Sequence, residues 1–294
     1  MRAALITGLG RPPQLGEAPE PAGDSLEVLA AALNPIDRAV AAGQFYGGHP
    51  ALPYVPGCEC VGRESGGRVV WTFGGGLGLA RNGAMAERAE PGAVVAEVPD
   101  GADPALAAAL GIAGLAGWLP LAWRAPVREG DRVLVLGATG TVGQVAIQAA
   151  KLLGAAHVVA AGRDREGLER ALVLGADDAV SLDGDFGEPT YVLDPLWGEP
   201  LERAVAAAAP GARIVQLGQS AGPTATLTSA AVRGKQLEVY GFSDFAVPAD
   251  VLAEHYTRLV GHALAGEIRV EVERVGLDEV GAAWNRPGKL VVCP

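Results

Sequence analysis

The pattern of apolar and polar positions changes character partway along this 294-residue chain. Up to about Pro104 no helical period emerges, and short apolar runs are cut by turn formers, among them Pro12, Pro13, Pro19, Pro21, Pro50, Pro53 and Pro56. The runs 2–7, 25–32, 68–73 and 93–98 read as strands of a β-rich region. From Asp131 onward, predominantly apolar runs at 133–136, 157–161, 179–182, 191–194 and 213–217 alternate with segments of helical period ending near 153 and covering 164–174 and 201–209. Such alternation predicts a parallel sheet with helices on both faces. After Tyr240 the pattern loosens into a helix at 251–264, a strand-like 268–275 and a closing Lys-Leu-Val-Val-Cys-Pro. The uncharged stretch 105–123 is rich in Ala and interrupted by Gly and Pro, so it reads as a buried helix broken at Gly111 and Gly114 rather than a membrane span.

Within the alternating region, 132–143 (Arg-Val-Leu-Val-Leu-Gly-Ala-Thr-Gly-Thr-Val-Gly) is a strand running into a glycine turn and then a helix. The first amides of a helix have no internal acceptor, and the helix dipole adds partial positive charge there, so a pyrophosphate satisfies both. Gly137, Gly140 and Gly143 allow the tight turn, close backbone approach and close helix packing. Thr139, Thr141 and Val142 supply the intervening backbone. The next strand ends at Gly162 and Arg163, where an NAD site would place a carboxylate. A guanidinium suits a 2′-phosphate instead, which points to NADP(H). Asp164 is the expected N-cap of the following helix.

Charge narrows the partners. A formal net charge of −11 argues against a general nucleic-acid or anionic-membrane binder. Cys58, Cys60 and Cys293 form no disulfide framework, and the apolar start is short, so a cytoplasmic setting is expected.

With these pieces in view the chain resembles the zinc-free, quinone oxidoreductase-like branch of the medium-chain dehydrogenase/reductase superfamily. The resemblance runs through Asn34-Pro35-Ile36-Asp37, Gly43, the 52–59 segment Leu-Pro-Tyr-Val-Pro-Gly-Cys-Glu, Gly83-Ala84-Met85-Ala86-Glu87, the glycine turn, Leu174-Gly175-Ala176-Asp177 and Arg233-Gly234-Lys235. It implies a mixed α/β protein with two domains: a GroES-like β-rich substrate domain at 1–115, completed by 250–294, and a Rossmann doubly wound parallel-sheet domain at 116–249. It also implies NADPH as hydride donor, a homodimer, and cofactor contacts from Gly218, Phe242 and Ser243, with Arg233 and Lys235 adding positive charge.

Where zinc-containing relatives carry a cysteine and a histidine, this chain has Asn34 and Cys58, and its four histidines are scattered, so no metal is expected. Without a metal to polarise a simple carbonyl, a quinone or an α,β-unsaturated carbonyl is the expected small-molecule acceptor. Asn34 is the candidate to hydrogen-bond the acceptor oxygen or the nicotinamide ribose, and Tyr46 the candidate proton donor. A non-enzymatic, crystallin-like NADPH-binding protein is an alternative. An atypical short-chain dehydrogenase is another, although more than a hundred residues precede the glycine turn and no tyrosine is followed four residues later by lysine.

Overall fold

The computed structural model describes residues Met1 to Pro294 and divides into two compact units. The first comprises Met1–Ala113, Val247–Leu264 and Val270–Pro294; the second comprises Gly114–Ala246 and Ala265–Arg269. No helix is long and apolar enough to cross a membrane.

The first unit opens with β1 (Arg2–Leu5) and β2 (Gln14–Glu17), paired antiparallel. There follow β3 (Leu26–Ala32), α1 (Pro35–Ala41), β4 (Glu59–Arg63), β5 (Val69–Phe73), β6 (Arg88–Ala89), β7 (Val94–Glu97) and α2 (Pro104–Ala109). The second unit contains α3 (Leu115–Leu119), β8 (Arg132–Leu136), α4 (Thr141–Leu152), β9 (His157–Gly162), α5 (Arg165–Val173), β10 (Asp178–Ser181), β11 (Tyr191–Asp194), α6 (Gly198–Ala207), β12 (Arg213–Gln216), α7 (Ser229–Gly234) and β13 (Glu238–Gly241). The chain then returns to the first unit with α8 (Ala249–Leu264), β14 (Glu273–Val275), α9 (Val280–Ala283) and β15 (Leu290–Val292).

In the first unit the main sheet runs β14-β15-β3-β4-β5-β7, with β6 on β3; only the β14–β15 pair is parallel. The last strand of the chain therefore lies beside one of the first. In the second unit a six-stranded sheet runs β10-β9-β8-β11-β12-β13, and every pairing is parallel. The strands β8 and β11 are buried almost throughout, as expected when helices cover both faces. The chain leaves β8 for β9 on one side and later takes up β11 on the other. A reversal of strand order thus falls between β8 and β11, the position at which open α/β sheets bind ligands beyond their carboxyl ends.

Two local expectations need correction. The uncharged stretch is helical from Pro104, and it breaks only at Gly111 (φ −63°, ψ −117°); Gly114 keeps helical angles. Gly111 breaks the helix because a Cβ there would lie 1.8 Å from Glu59 Oε2, so the backbone comes down onto a buried carboxylate. The 268–275 run is strand only at Glu273–Val275. Its first part belongs to the second unit, where Gln148 of α4 holds the backbone: Arg269 N–H donates to Oε1 and Nε2 donates to Arg269 O, both at 2.9 Å. The Lys235 ammonium is held at the end of α6, where its Nζ donates to the carbonyls of Val205, Ala206 and Ala208.

Candidate functional site

The second unit brings the glycine-turn residues together at the carboxyl end of β8. Gly137 ends that strand with φ +64°, a conformation that suits glycine. Gly140 is the N-cap of α4 and has no side chain to cap it. The helical ladder begins with Gln144 N–H to Gly140 O, so the amides of Thr141, Val142 and Gly143 have no acceptor inside the helix. A Cβ on Gly140 would meet only one atom within 4 Å, whereas one on Gly143 would lie 2.5 Å from Gly137 O and Ala138 Cα. The first glycine therefore keeps the approach open, and the second seats the helix on the turn. Gly117 of α3 lies outside the glycine motif, yet its Cβ would sit 2.5 Å from Val142 O, so it lets α3 pack against the start of α4.

Beside the turn, Thr139 lies against two glycines of the next βα connection. Cβ atoms on Gly162 and Gly167 would fall 2.8 and 2.7 Å from the Thr139 side chain. Asp164 caps α5 through Gly167 N–H at 2.9 Å. Arg163 stands between them, exposed and with no hydrogen bond or ion pair, at the end of β9. Open helix amides and a neighbouring unpaired guanidinium suit two separate phosphate groups, so the residues fit a 2′-phosphorylated dinucleotide.

On the other side of β8, the turn after β11 approaches the glycine turn. A Cβ on Gly137 would meet Leu196 Cδ2 at 3.1 Å and Pro195 Cγ at 3.2 Å, and one on Gly218 would meet Pro195 O at 2.4 Å. Asp194 Oδ1 accepts from the N–H groups of Leu196 and Trp197, each at 2.9 Å, while its buried Oδ2 has no partner. Burial pushes the Asp194 carboxyl above the usual carboxylate range, and those two amides only partly oppose the shift. Trp197 has φ +58° and ψ −163°. That region is essentially reserved for glycine and costs on the order of 1–3 kcal/mol for other residues. Phe242 continues past β13, part-buried and with its N–H donating to Gln216 O at 2.9 Å, and Ser243 is exposed beside it.

The first unit contains a second, wholly buried polar group. Glu59 Oε1 accepts from Asn34 Nδ2 (2.7 Å), and Oε2 accepts from Trp71 Nε1 and Ile112 N–H (both 2.8 Å). Lys289 Nζ donates to Asn34 Oδ1 at 2.7 Å. Asp37 accepts from the N–H groups of Asn34 (2.7 Å) and Cys58 (2.9 Å), and from the Cys58 thiol. Burial raises the Asp37 and Glu59 carboxyls and lowers the Lys289 ammonium, while Lys289 pulls both carboxyls partly back down. Asn34 is only 1 % exposed, and its two amide hydrogens go to Glu59 and, at 3.4 Å, to Ala32 O. The expected donation from Asn34 to an acceptor oxygen would require one of these bonds to break.

This cluster does not fit a metal ion. Burial, followed by the charge of Asp37, pushes the Cys58 thiol well up, and the Lys289 ammonium already supplies a cation. Nowhere do three or more His, Cys, Asp and Glu side chains converge as a ligand set. Tyr46 is elsewhere in the unit, 94 % exposed, with its ring centroid 4.5 Å from that of Phe45. Lys289 and Trp197 carry no signal in the sequence. A lysine before an apolar run looks like a solvated flank, and no local pattern marks a tryptophan that must take glycine angles.

Comparison with known proteins agrees with this architecture. Residues 141–251 match the zinc-binding dehydrogenase family model, a segment that excludes Asn34, Cys58 and Glu59. A phenolphthiocerol/phthiocerol polyketide synthase of Mycobacterium tuberculosis is 35 % identical over 223 residues, which is 68 % of this chain and 10 % of that protein. The chain thus spans about a tenth of the length of that synthase. Mouse quinone oxidoreductase-like protein 2 is 29 % identical over 273 residues, covering 84 % of this chain and 78 % of the mouse protein. The quinone oxidoreductase of Thermus thermophilus, whose structure was also solved with NADPH, superimposes over the whole of both chains with a TM-score of 0.83 and 29 % identity. Residues 141–251 thus form a zinc-binding dehydrogenase domain, and the chain as a whole is similar in sequence and fold to quinone oxidoreductase-like members of the medium-chain dehydrogenase/reductase superfamily.

Proposed function

We propose that this protein is an NADPH-dependent, zinc-independent oxidoreductase that transfers hydride to a quinone or an α,β-unsaturated carbonyl. The observation that carries the reading is the pairing of open α4 amides at Thr141, Val142 and Gly143 with the unpaired Arg163. The amides take the pyrophosphate, and Arg163 takes the 2′-phosphate. When bound, NADPH supplies the hydride; the chain's own residues bind, orient and exclude water. Gly137, Thr139, Gly140 and Gly162 shape the backbone beneath the cofactor, and Gly218, Phe242 and Ser243 lie toward its nicotinamide side. Asn34 holds α1 to Glu59 and Lys289 and so steadies the first unit, while the exposed Tyr46 phenol delivers the proton.

The polyketide synthase match supports the enone as acceptor, and the mouse and Thermus relatives support the quinone. We assign the chain to the cytoplasm and to a homodimer. The unpaired edge of the second sheet supports the latter: β13 ends it, and Val239 there is 46 % exposed. The test is consumption of NADPH against a panel of quinones and enones, in wild type and Tyr46→Phe. Turnover with at least one acceptor, reduced in the variant at unchanged NADPH affinity, is expected. Tight NADPH binding with no turnover on any acceptor would favour the non-enzymatic alternative and overturn the reading.

A further inference from the structure

We propose that Trp197 is a cofactor-holding residue whose indole walls the part of the site that receives the nicotinamide half of the dinucleotide. This rests on the cofactor reading above and extends it to a residue that neither motif nor resemblance singles out. Three loops stand in a row beyond the carboxyl ends of adjacent strands: Gly162 and Arg163 after β9, the glycine turn after β8, and Asp194 to Trp197 after β11. A ligand that places its 2′-phosphate at Arg163 and its pyrophosphate at the α4 amides has used the first two positions. Its remaining half must continue over the end of β11, on the far side of the strand-order reversal.

The third loop is built for close approach. Pro195 and Leu196 lie against Gly137, and Pro195 O lies against Gly218, so the loop touches the turns on both sides of it. Trp197 and the following Gly198 both have positive φ, and glycine at either position would adopt those angles freely. A large aromatic residue held there against its backbone preference points to work for the side chain. Its indole is part-buried, packed on the apolar cluster around Leu134 and Leu136, with a remainder accessible to a ligand. The same loop contains the unpartnered Asp194 Oδ2, a buried polar atom that a ligand hydroxyl would satisfy. An aromatic face suits the flat nicotinamide ring and its ribose.

The experiment compares two probes, NADPH and adenosine 2′,5′-bisphosphate, the second of which has only the adenosine half. Binding of each is measured by calorimetry in wild type, Trp197→Gly and Trp197→Leu. Glycine removes the strain along with the ring, and leucine keeps an apolar side chain for packing if the glycine variant does not fold. The expected result is an NADPH affinity weaker by about tenfold in the variants, with the bisphosphate bound as in wild type. Unchanged NADPH affinity would overturn the proposal, as would an equal loss for both probes, which would mark Trp197 as structural only. Wild type that binds neither probe would overturn the cofactor reading and this assignment with it.

Discussion

Lys289 precedes the apolar run Leu290-Val291-Val292, and its ammonium is buried against Asn34 in the same cluster as Glu59 and Asp37. Replacing it with methionine leaves two buried carboxyls without their nearest cation, a loss of about 3–5 kcal/mol by analogy with other broken buried pairs. Both carboxyls already titrate above their ordinary range because of burial, so the stability they contribute is complete at low pH and is lost as pH rises through their folded-state values. Without Lys289 they shift further up. Denaturant unfolding of Lys289→Met should therefore show a deficit that widens from the carboxylate range toward neutral pH; a deficit independent of pH would contradict this. Arg163 is the opposite kind of cation, exposed and unpaired. Arg163→Ala should raise the KM for NADPH by about 10–100-fold, the worth of a hydrogen bond to a charged group, and leave NADH kinetics nearly unchanged. Equal losses with both cofactors would remove Arg163 from the 2′-phosphate. Arg163 is legible in the sequence because its meaning depends on its place after a strand. Lys289 is not, because its meaning depends on a residue 255 positions away.

At the scale of elements, legibility follows the range of the contacts that define each one. The strands β8, β9, β11 and β12 and the helices between them are readable from local periodicity. Several short elements are not, α1 and β4 among them. Pro35–Ala41 is closed by Asp37 accepting the Asn34 N–H, and Glu59–Arg63 mixes Cys, Gly and charged residues that only its pairing with β3 and β5 turns into a strand. The division of labour among the turn glycines is also invisible, since three identical letters conceal one open site and one packed one. Gly143→Ala should destabilise the second unit by about 1–3 kcal/mol through overpacking against Gly137 and Ala138, lowering Tm and NADPH affinity together. Gly140→Ala, at an open N-cap, should leave Tm nearly unchanged while weakening the cofactor, since its methyl would project where the ligand approaches. A common Tm loss in both variants would show that the two glycines share one structural task.

For the whole molecule, the second unit has its own buried ion pair as a fastener. Arg213 of β12 pairs with Asp131, just before β8; Asp131 also accepts from Thr190 Oγ1 and Arg128 N–H. Burial alone would raise the Asp131 carboxyl, but the hydrogen bonds from Arg128, Arg213 and Thr190 outweigh it and hold it below its ordinary value. The stability it supplies is therefore present above the ordinary carboxylate range and is lost as pH falls below it. Asp131→Asn should lower Tm at neutral pH, and the gap from wild type should narrow in acid; a gap that stays constant would exclude the pair as its source. Val239→Lys, on the free edge of β13, should shift a dimer toward monomer in light scattering without changing Tm of the monomer.

The order of strands also sets a timetable for synthesis. Residues 114–246 emerge from the ribosome as a nearly complete parallel-sheet unit able to collapse at once. The sheet begun by β3 cannot be completed on its β15 side until Leu290–Val292 appear. Through that interval the Ala31–Ala32 part of β3, which β6 does not pair, presents an unpaired edge, and the nascent chain depends on the speed with which the segment from Val247 onward arrives to close it. A stall in translation near this end would expose a sticky β-edge on a protein whose nucleotide-binding half is already folded.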